Sequence, residues 1–308
     1  MNDPIKISVI VPIHHGDASF LDKCLSSLCS QTFKDFEAIL VLNDSTENDQ
    51  IISLKYCHSD TRFKLFEIDD ADVSSARNIG LKNAQGKYIV FLDCDDWLSA
   101  GALQTLYNLM ESKQGDVGAA NAQKVWINGK KKNLFHFENY EEEARLKAIP
   151  NFAVWGYIFK NDIIKDNYIR FCEGLKLSED RVFLFEYFLY CKKIVFSKEI
   201  IYFYRQHNLS VCNSKQTHEQ AIQQLKAAII LHNILAKSPE FLKKDIRHHD
   251  RALARMGMVA YINSGTTPKG IAHLRDYFLN NICNSKLIFY YCWYRAIISS
   301  IIGNILHL

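Results

Sequence analysis

Proline is scarce in this chain of 308 residues, five in all, and no low-complexity tract interrupts it, so disorder is excluded for most of its length. Concentrated basic charge is also missing. The 37 basic side chains are scattered among 34 acidic ones, and the formal net charge of +3 argues against nucleic acid as a partner. The nine cysteines form no CxxC pair and no Cys/His metal spacing. Cys24, Cys29, Cys57, Cys94, Cys172 and Cys191 mostly adjoin apolar runs, which predicts buried thiols in a reducing compartment. Met1-Asn2-Asp3-Pro4 lacks the basic start and apolar core of a secretory leader, so a cytoplasmic location is expected.

What is present is apolar surface, 48% of residues, enough to build a substantial core. Residues 5 to 13 are rich in β-branched side chains and end at His14-His15-Gly16, which predicts a buried strand leading to a loop. Phe20, Leu21, Leu25 and Leu28 then recur at helical spacing. Residues 36 to 42 and 62 to 68 read as further strands, the first followed by the helix-capping run Asn43-Asp44-Ser45-Thr46. A short helix over 74 to 81 and a fourth apolar strand over 88 to 92 complete the pattern. Such alternation predicts an α/β fold whose mostly parallel sheet is covered by helices. Ligands of these sheets bind beyond the carboxyl ends of the strands. His14, Asp44 and Asp93-Cys94-Asp95-Asp96 stand at those ends.

The pattern is less regular beyond residue 100. A helix is expected over 103 to 109, strands within 117 to 137 around Asn128-Gly129, a helix over 182 to 190 and a strand over 194 to 204. Glu141-Glu142-Glu143 reads as a helix start or solvated face. The polar segment 206 to 218 marks a boundary between a domain of residues 1–212, with halves 1–100 and 101–212, and a helical region 213–308. Amphipathic helices over 219 to 237 and 240 to 262 either cover the first domain, the favoured reading, or join a second copy in a homodimer. Residues 287 to 308 carry Arg295 as the one firmly charged side chain and an aromatic cluster from Phe289 to Tyr294. A buried terminal helix is the first reading, peripheral membrane contact the second and a membrane span the third.

Two carboxylates separated by one residue on an extended chain point the same way. Asp93 and Asp95 are therefore expected to converge, and their oxygens suit Mn or Mg together with substrate phosphates. The alternative is a strand end that merely caps the helix near Ser99. Around this cluster lie Ser8-Val9-Ile10-Val11-Pro12, Leu25-Ser26-Ser27-Leu28-Cys29-Ser30-Gln31-Thr32-Phe33, Asn43-Asp44-Ser45-Thr46, Ser75-Ala76-Arg77-Asn78-Ile79-Gly80-Leu81 and Gly86-Lys87-Tyr88-Ile89-Val90-Phe91-Leu92. In this order they resemble the inverting, GT-A type family 2 glycosyltransferases of bacterial polysaccharide and lipopolysaccharide synthesis. Val154-Trp155-Gly156-Tyr157-Ile158-Phe159, Ser178-Glu179-Asp180 and Tyr204-Arg205-Gln206-His207-Asn208-Leu209-Ser210 extend the resemblance into the second half. Two departures stand out: no glycine follows Asp44, and His14 stands where relatives often carry asparagine.

The resemblance implies a GT-A fold with residues 1–100 as the nucleotide-sugar half and 101–212 as the acceptor side. Pro12 and His14 would line the uracil pocket, Asp44 would accept a hydrogen bond from the base, and Arg77 would sit near base or diphosphate. Asp93 would contact the ribose or nucleotide, Asp95 would ligate the metal, and Asp96 would help orient the donor sugar. His207 would add a metal or phosphate contact, or is simply a loop histidine. Asp180 would be the general base, with Glu179 beside it; the competing role for both is as helix N-terminal carboxylates. Trp155 and Tyr157 would pack against the acceptor sugar, with core packing the alternative for Trp155. The implied reaction moves a hexose or N-acetylhexosamine from a UDP-sugar to a glycan or lipid-linked oligosaccharide, forming a β linkage in lipopolysaccharide, O-antigen or capsule assembly. A sugar nucleotidyltransferase is disfavoured because no Gly-rich basic loop follows the first strand. A non-catalytic nucleotide-sugar- or glycan-binding protein on the same fold is disfavoured because Asp93, Asp95 and Asp180 are all present.

Overall fold

The computed structural model describes residues 4–69, 71–134, 153–206 and 218–239. Its first part is a strict alternation: β1 (Ile7–Ile13), α1 (Ala18–Cys29), β2 (Phe36–Asn43), α2 (Glu47–Ser59), β3 (Phe63–Ile68), α3 (Val73–Asn83) and β4 (Tyr88–Phe91). The four strands pair in parallel in the order β3-β2-β1-β4. Every residue of β1 and β2 is buried, as expected of central strands with apolar side chains on both faces. Helix starts follow from short polar side chains. Asp17 accepts the N–H groups of Ser19 and Phe20 at α1, Thr46 and Asp49 form a reciprocal capping box at α2, and Asp72 accepts the Ser74 N–H at α3.

The remaining strands break the parallel rule. They are β5 (Trp97–Leu98), β6 (Val117–Trp126), β7 (Lys131–Asn133), β8 (Tyr157–Lys160) and β9 (Ile194–Gln206), and α4 (Ala102–Lys113) and α5 (Asn161–Asp166) accompany them. The full order is β3-β2-β1-β4-β8-β6-β9-β5, with β7 on β6. β8 enters beside β4 running the opposite way, so the sheet is parallel in its first half and mixed in its second. β6 and β7 form the expected hairpin at Asn128-Gly129, where Gly129 takes a φ of +81° that glycine adopts without penalty.

One buried carboxylate ties the first half together. Glu37 on β2, 1% exposed, accepts from Ser8 Oγ on β1 at 2.6 Å and from the Gln85 N–H at 2.7 Å, and pairs with Lys64 Nζ of β3 at 2.6 Å. Ser8 Oγ in turn accepts the Gly86 N–H at 2.8 Å, so the turn before β4 is fastened to β1. A buried charge is tolerated only when partnered in this way. Gln31 acts as a comparable tie. Its amide bonds to the carbonyls of Ser27 and Ser99 and accepts the Leu103 N–H, joining the end of α1 to the start of α4.

By internal contacts the chain divides into two units, Met1–Gly174 with Tyr190–Ser210, and Leu175–Leu189 with Val211–Leu308. The second contains α6 (Glu179–Phe188) and α7 (His218–Lys237), which pack on each other, and the Lys176 N–H donates to Gln223 Oε1 at 3.3 Å. Residues 175–189 thus group with the C-terminal unit, whereas the sequence-based division placed them within 1–212. Glu141-Glu142-Glu143, the helix expected over 240 to 262 and the apolar stretch 287 to 308 lie outside the described residues. Among the described residues no helix is long and apolar enough to cross a membrane.

Close approach of α3 to β1 gives a direct test of the packing. A Cβ added at Gly80 would lie 2.3 Å from Ile10 Cγ2. Gly80→Ala is expected to lower stability by about 1–3 kcal/mol through overpacking, against a helix-propensity gain of about 1 kcal/mol. Urea denaturation at unchanged m-value measures the difference.

Candidate active site

The carboxyl end of β4 carries the acidic run. The Leu92 N–H still bonds to Ile10 O, and the chain then turns, the Asp96 N–H closing on Asp93 O at 3.1 Å. Asp93-Cys94-Asp95-Asp96 is therefore a turn and not the extended segment expected, so period-two alternation does not apply to it. The turn leaves Asp93 and Asp95 half-buried and sends Asp96 inward to complete burial.

The end of β9 holds this turn from below. Tyr202 Oη donates to Asp96 Oδ2 at 2.6 Å, and the Arg205 N–H donates to Asp96 Oδ1 at 2.7 Å. The same Tyr202 hydroxyl accepts the Asp93 N–H at 3.3 Å, while Arg205 Nε donates to Asp95 O at 2.8 Å. The Arg205 guanidinium lies 4.0 Å from the Phe20 ring centre and 4.7 Å from that of Trp97. Burial pushes Asp96 well above the usual carboxylate range, and the negative neighbours Asp95 and Asp93 add to the shift; the two donors act in the opposite sense. The expected role of Asp96 in orienting a donor sugar does not match this placement, because both of its oxygens are taken by β9 and the group is sealed from solvent. It positions the turn instead.

Arg77 reaches the same turn from α3. Only 3% exposed, it donates from Nη2 to Asp93 Oδ1 at 3.1 Å, with its guanidinium carbon 5.1 Å from the Phe171 ring centre. Asn78 beside it donates to Phe171 O and Glu173 Oε1 and accepts the Phe171 N–H, locking α3 to the 169–174 loop. At the ends of β1 and β2, His14 Nδ1 lies 2.9 Å from Asn43 O, and His15 Nε2 lies 3.4 Å from Asp44 Oδ2. Asp44 adopts a φ of +47° and His15 one of +42°, a left-handed backbone that side-chain-bearing residues rarely take. Pro12 is a buried residue of β1 in register with Val41.

Other expected site residues stand elsewhere. Trp155 is 7% exposed and stacks on Tyr202 at 4.7 Å and on Tyr204 at 5.3 Å, while Tyr157 is 3% exposed in β8. Both belong to the core: Trp155 takes the packing alternative against two tyrosines, and the Tyr157 ring lies tilted against Phe159, centres 5.8 Å apart, so neither stands exposed as the acceptor platform expected. Glu179 and Asp180 occupy the first turn of α6 in the second unit, half-buried, after Ser178 at a φ of +66°. His207 lies outside the described residues. Sequence reasoning missed Tyr202 and gave no role to Arg205 or Asn78. The Tyr202 hydroxyl meets a carboxyl 106 residues away, a pairing that no local pattern signals.

On this open α/β sheet the acidic turn closes β4, Asp44 follows the end of β2, and the buried Arg77 reaches the turn from α3. The sequence model "Glycosyl transferase family 2" matches residues 8–168, more than half of the chain, and the protein belongs to that family. It is 30% identical over 220 residues to Glycosyltransferase GlyA of Streptococcus pneumoniae serotype 4, covering 65% of this chain and 30% of that protein. It is 28% identical over 255 residues to poly(ribitol-phosphate) beta-N-acetylglucosaminyltransferase TarP of Staphylococcus aureus, covering 79% of this chain and 76% of that one. A poly(ribitol-phosphate) beta-glucosyltransferase of Bacillus spizizenii is 29% identical over 204 residues. The chain spans about a third of the length of GlyA and of the Bacillus protein. The crystal structure of S. aureus TarS 1-349 in complex with UDP-GlcNAc superposes with a TM-score of 0.70 at 20% identity, over 96% of this chain and 89% of that one. The GT-A-like α/β architecture expected from sequence is thus the fold found.

Tyr202→Phe isolates the contribution of β9. It leaves Asp96 Oδ2 buried without its donor, so a loss of about 1–3 kcal/mol in stability is expected. Guanidinium denaturation of wild type and variant checks it, and an unchanged midpoint would show that the hydroxyl does not hold the turn.

Proposed function

We propose that the protein is a metal-dependent glycosyltransferase that moves a hexose or N-acetylhexosamine from a UDP-sugar to a hydroxyl of a glycan or lipid-linked glycan, with inversion to a β linkage. The observation that carries this reading is the acidic turn at the carboxyl end of β4, with Asp93 held by the buried Arg77 guanidinium. Open α/β sheets take their nucleotide ligands at such strand ends. The relatives support the donor and acceptor classes: TarS is described in complexes with UDP-GlcNAc and UDP, and TarP and the Bacillus protein are named for sugar transfer involving poly(ribitol-phosphate). Bacterial surface-glycan assembly is the proposed setting, at the inner face of the cytoplasmic membrane.

Mn2+ or Mg2+ fits the donor set, because Asp93 and Asp95 offer hard carboxylate oxygens, both half-buried and on one turn. When bound, the ion neutralises charge on the departing diphosphate. Asp95 is its proposed ligand, with His207 as an added contact. The chain's own groups do the rest. Arg77, oriented by Asp93, places fixed positive charge beside the nucleotide, and Asp44 and His14 face the base at the ends of β1 and β2. Asp180 takes the proton of the acceptor hydroxyl as its oxygen attacks the anomeric carbon opposite the leaving group, and Glu179 supports the acceptor. Ser178-Glu179-Asp180 carries that assignment by its likeness to the family motif.

Two measurements separate the parts of this reading. In calorimetric titration, UDP is expected to bind in the presence of Mn2+, and Asp95→Asn is expected to weaken that binding at least about tenfold, near 1.4 kcal/mol. Absence of UDP binding with and without Mn2+ would remove the donor site. Asp180→Asn is expected to leave UDP affinity within about twofold while transfer falls by about 10²–10⁴. Undiminished transfer would remove Asp180 as base.

A further inference from the structure

His14, His15 and Asp44 meet where β1 and β2 end, and one ligand atom from each lies within 4.8 Å of the others. The carboxylates of the acidic turn are not part of this group. Two features of the trio go beyond proximity. His14 Nδ1 faces the Asn43 carbonyl at 2.9 Å, so that nitrogen carries the proton and donates, and Nε2 keeps the lone pair. Metal-ligating histidines are held in this manner, by a bond from the far ring nitrogen to a backbone carbonyl. His15 Nε2 and Asp44 Oδ2 stand 3.4 Å apart, long for a charge-assisted hydrogen bond. Two ligands at about 2.0–2.1 Å on a tetrahedral ion are separated by about 3.3–3.4 Å, which is the spacing seen.

The backbone is shaped for the same meeting. His15 and Asp44 face each other across the strand ends, both in the left-handed region, at φ values of 42° and 47°. Residues held there cluster at ligand clamps. Two imidazoles and one carboxylate make a borderline N/O donor set, which selects Zn2+ over the hard ions suited to an all-carboxylate turn. All three side chains are exposed, so a fourth position stays open to water.

We propose that His14, His15 and Asp44 form a Zn2+ site separate from the acidic turn, and that zinc bound there competes with the nucleotide for Asp44. The second half rests on the nucleotide reading given above. Zinc ligation engages the carboxylate that would otherwise accept a hydrogen bond from the base, so zinc and donor exclude one another. The site then works as an inhibitory input that reads free zinc. At zinc ten times its dissociation constant, the apparent KM for donor rises about tenfold while kcat is unchanged.

The test uses the full chain, stripped with chelator and dialysed, and the variant His15→Asn. Asparagine tolerates the left-handed backbone at this position and removes the imidazole. With the acidic turn saturated by Mg2+, titration with Co2+ as a spectroscopic substitute, and with Zn2+ by calorimetry, is expected to give one further ion per chain with tetrahedral absorption bands. His15→Asn should weaken that ion at least about tenfold, leave Mn2+-supported UDP binding as in the wild type, and abolish inhibition of donor binding by zinc. Equal zinc affinity in wild type and variant would overturn the site, and simultaneous binding of zinc and UDP would overturn the competition. If UDP fails to bind without zinc while His15→Asn still loses the ion, the nucleotide reading falls and the zinc site is supported.

Discussion

A carboxyl group withdrawn from water, Asp96, meets two donors from the end of β9, the Tyr202 hydroxyl and the Arg205 N–H. That contact sets where the acidic turn stands. Because both oxygens of Asp96 are used inward, the turn has one orientation in which Asp93 and Asp95 stay within reach of solvent. Arg77 can then meet Asp93 from α3, and Phe171 can lie against the guanidinium. The cost of burying these groups is offset by the partners they find in one another, a requirement that grows as the local dielectric falls. A similar arrangement around Glu37 fastens β1, β2, β3 and the turn before β4. The sheet half that carries the strand ends is thus held by an apolar interior and by two buried acids with complete sets of donors.

Much of the first half was legible in sequence because its signals are local. Apolar runs in β1, β2 and β4 lack alternation, as strands covered on both faces must, and Asp17, Thr46 and Asp72 announce helix starts. His14, Asp44 and the acidic run were legible as strand-end residues for the same reason. The mixed order of the second half was not, since nothing in the run of residues 157 to 160 states that it will pair with β4 in reverse. Strand direction is decided by partners distant in sequence.

The errors at the site share that cause. An aromatic segment reads alike whether its rings face a sugar or one another, and Trp155 stacks on the β9 tyrosines Tyr202 and Tyr204. Asp93 and Asp95 were expected to converge by strand alternation; a turn accounts for their exposure instead. Tyr202 sits in an apolar strand where a tyrosine looks like any other filler, and only the tertiary fold reveals that its hydroxyl serves both Asp96 and Asp93.

The excursion of residues 175 to 189 has a topological consequence. The chain leaves the first unit after Gly174, returns at Tyr190 and departs again after Ser210. No single cut separates two complete halves: a fragment ending near residue 212 would keep α6, with Val182, Phe183, Leu184, Phe185, Tyr187 and Phe188 all built for burial, and lose α7, against which it packs. Such a fragment would present a greasy flank to solvent and to its copies. The two units are interleaved along the gene, so they must be translated, folded and inherited together, and recombination at a lone point between them would be punished by aggregation.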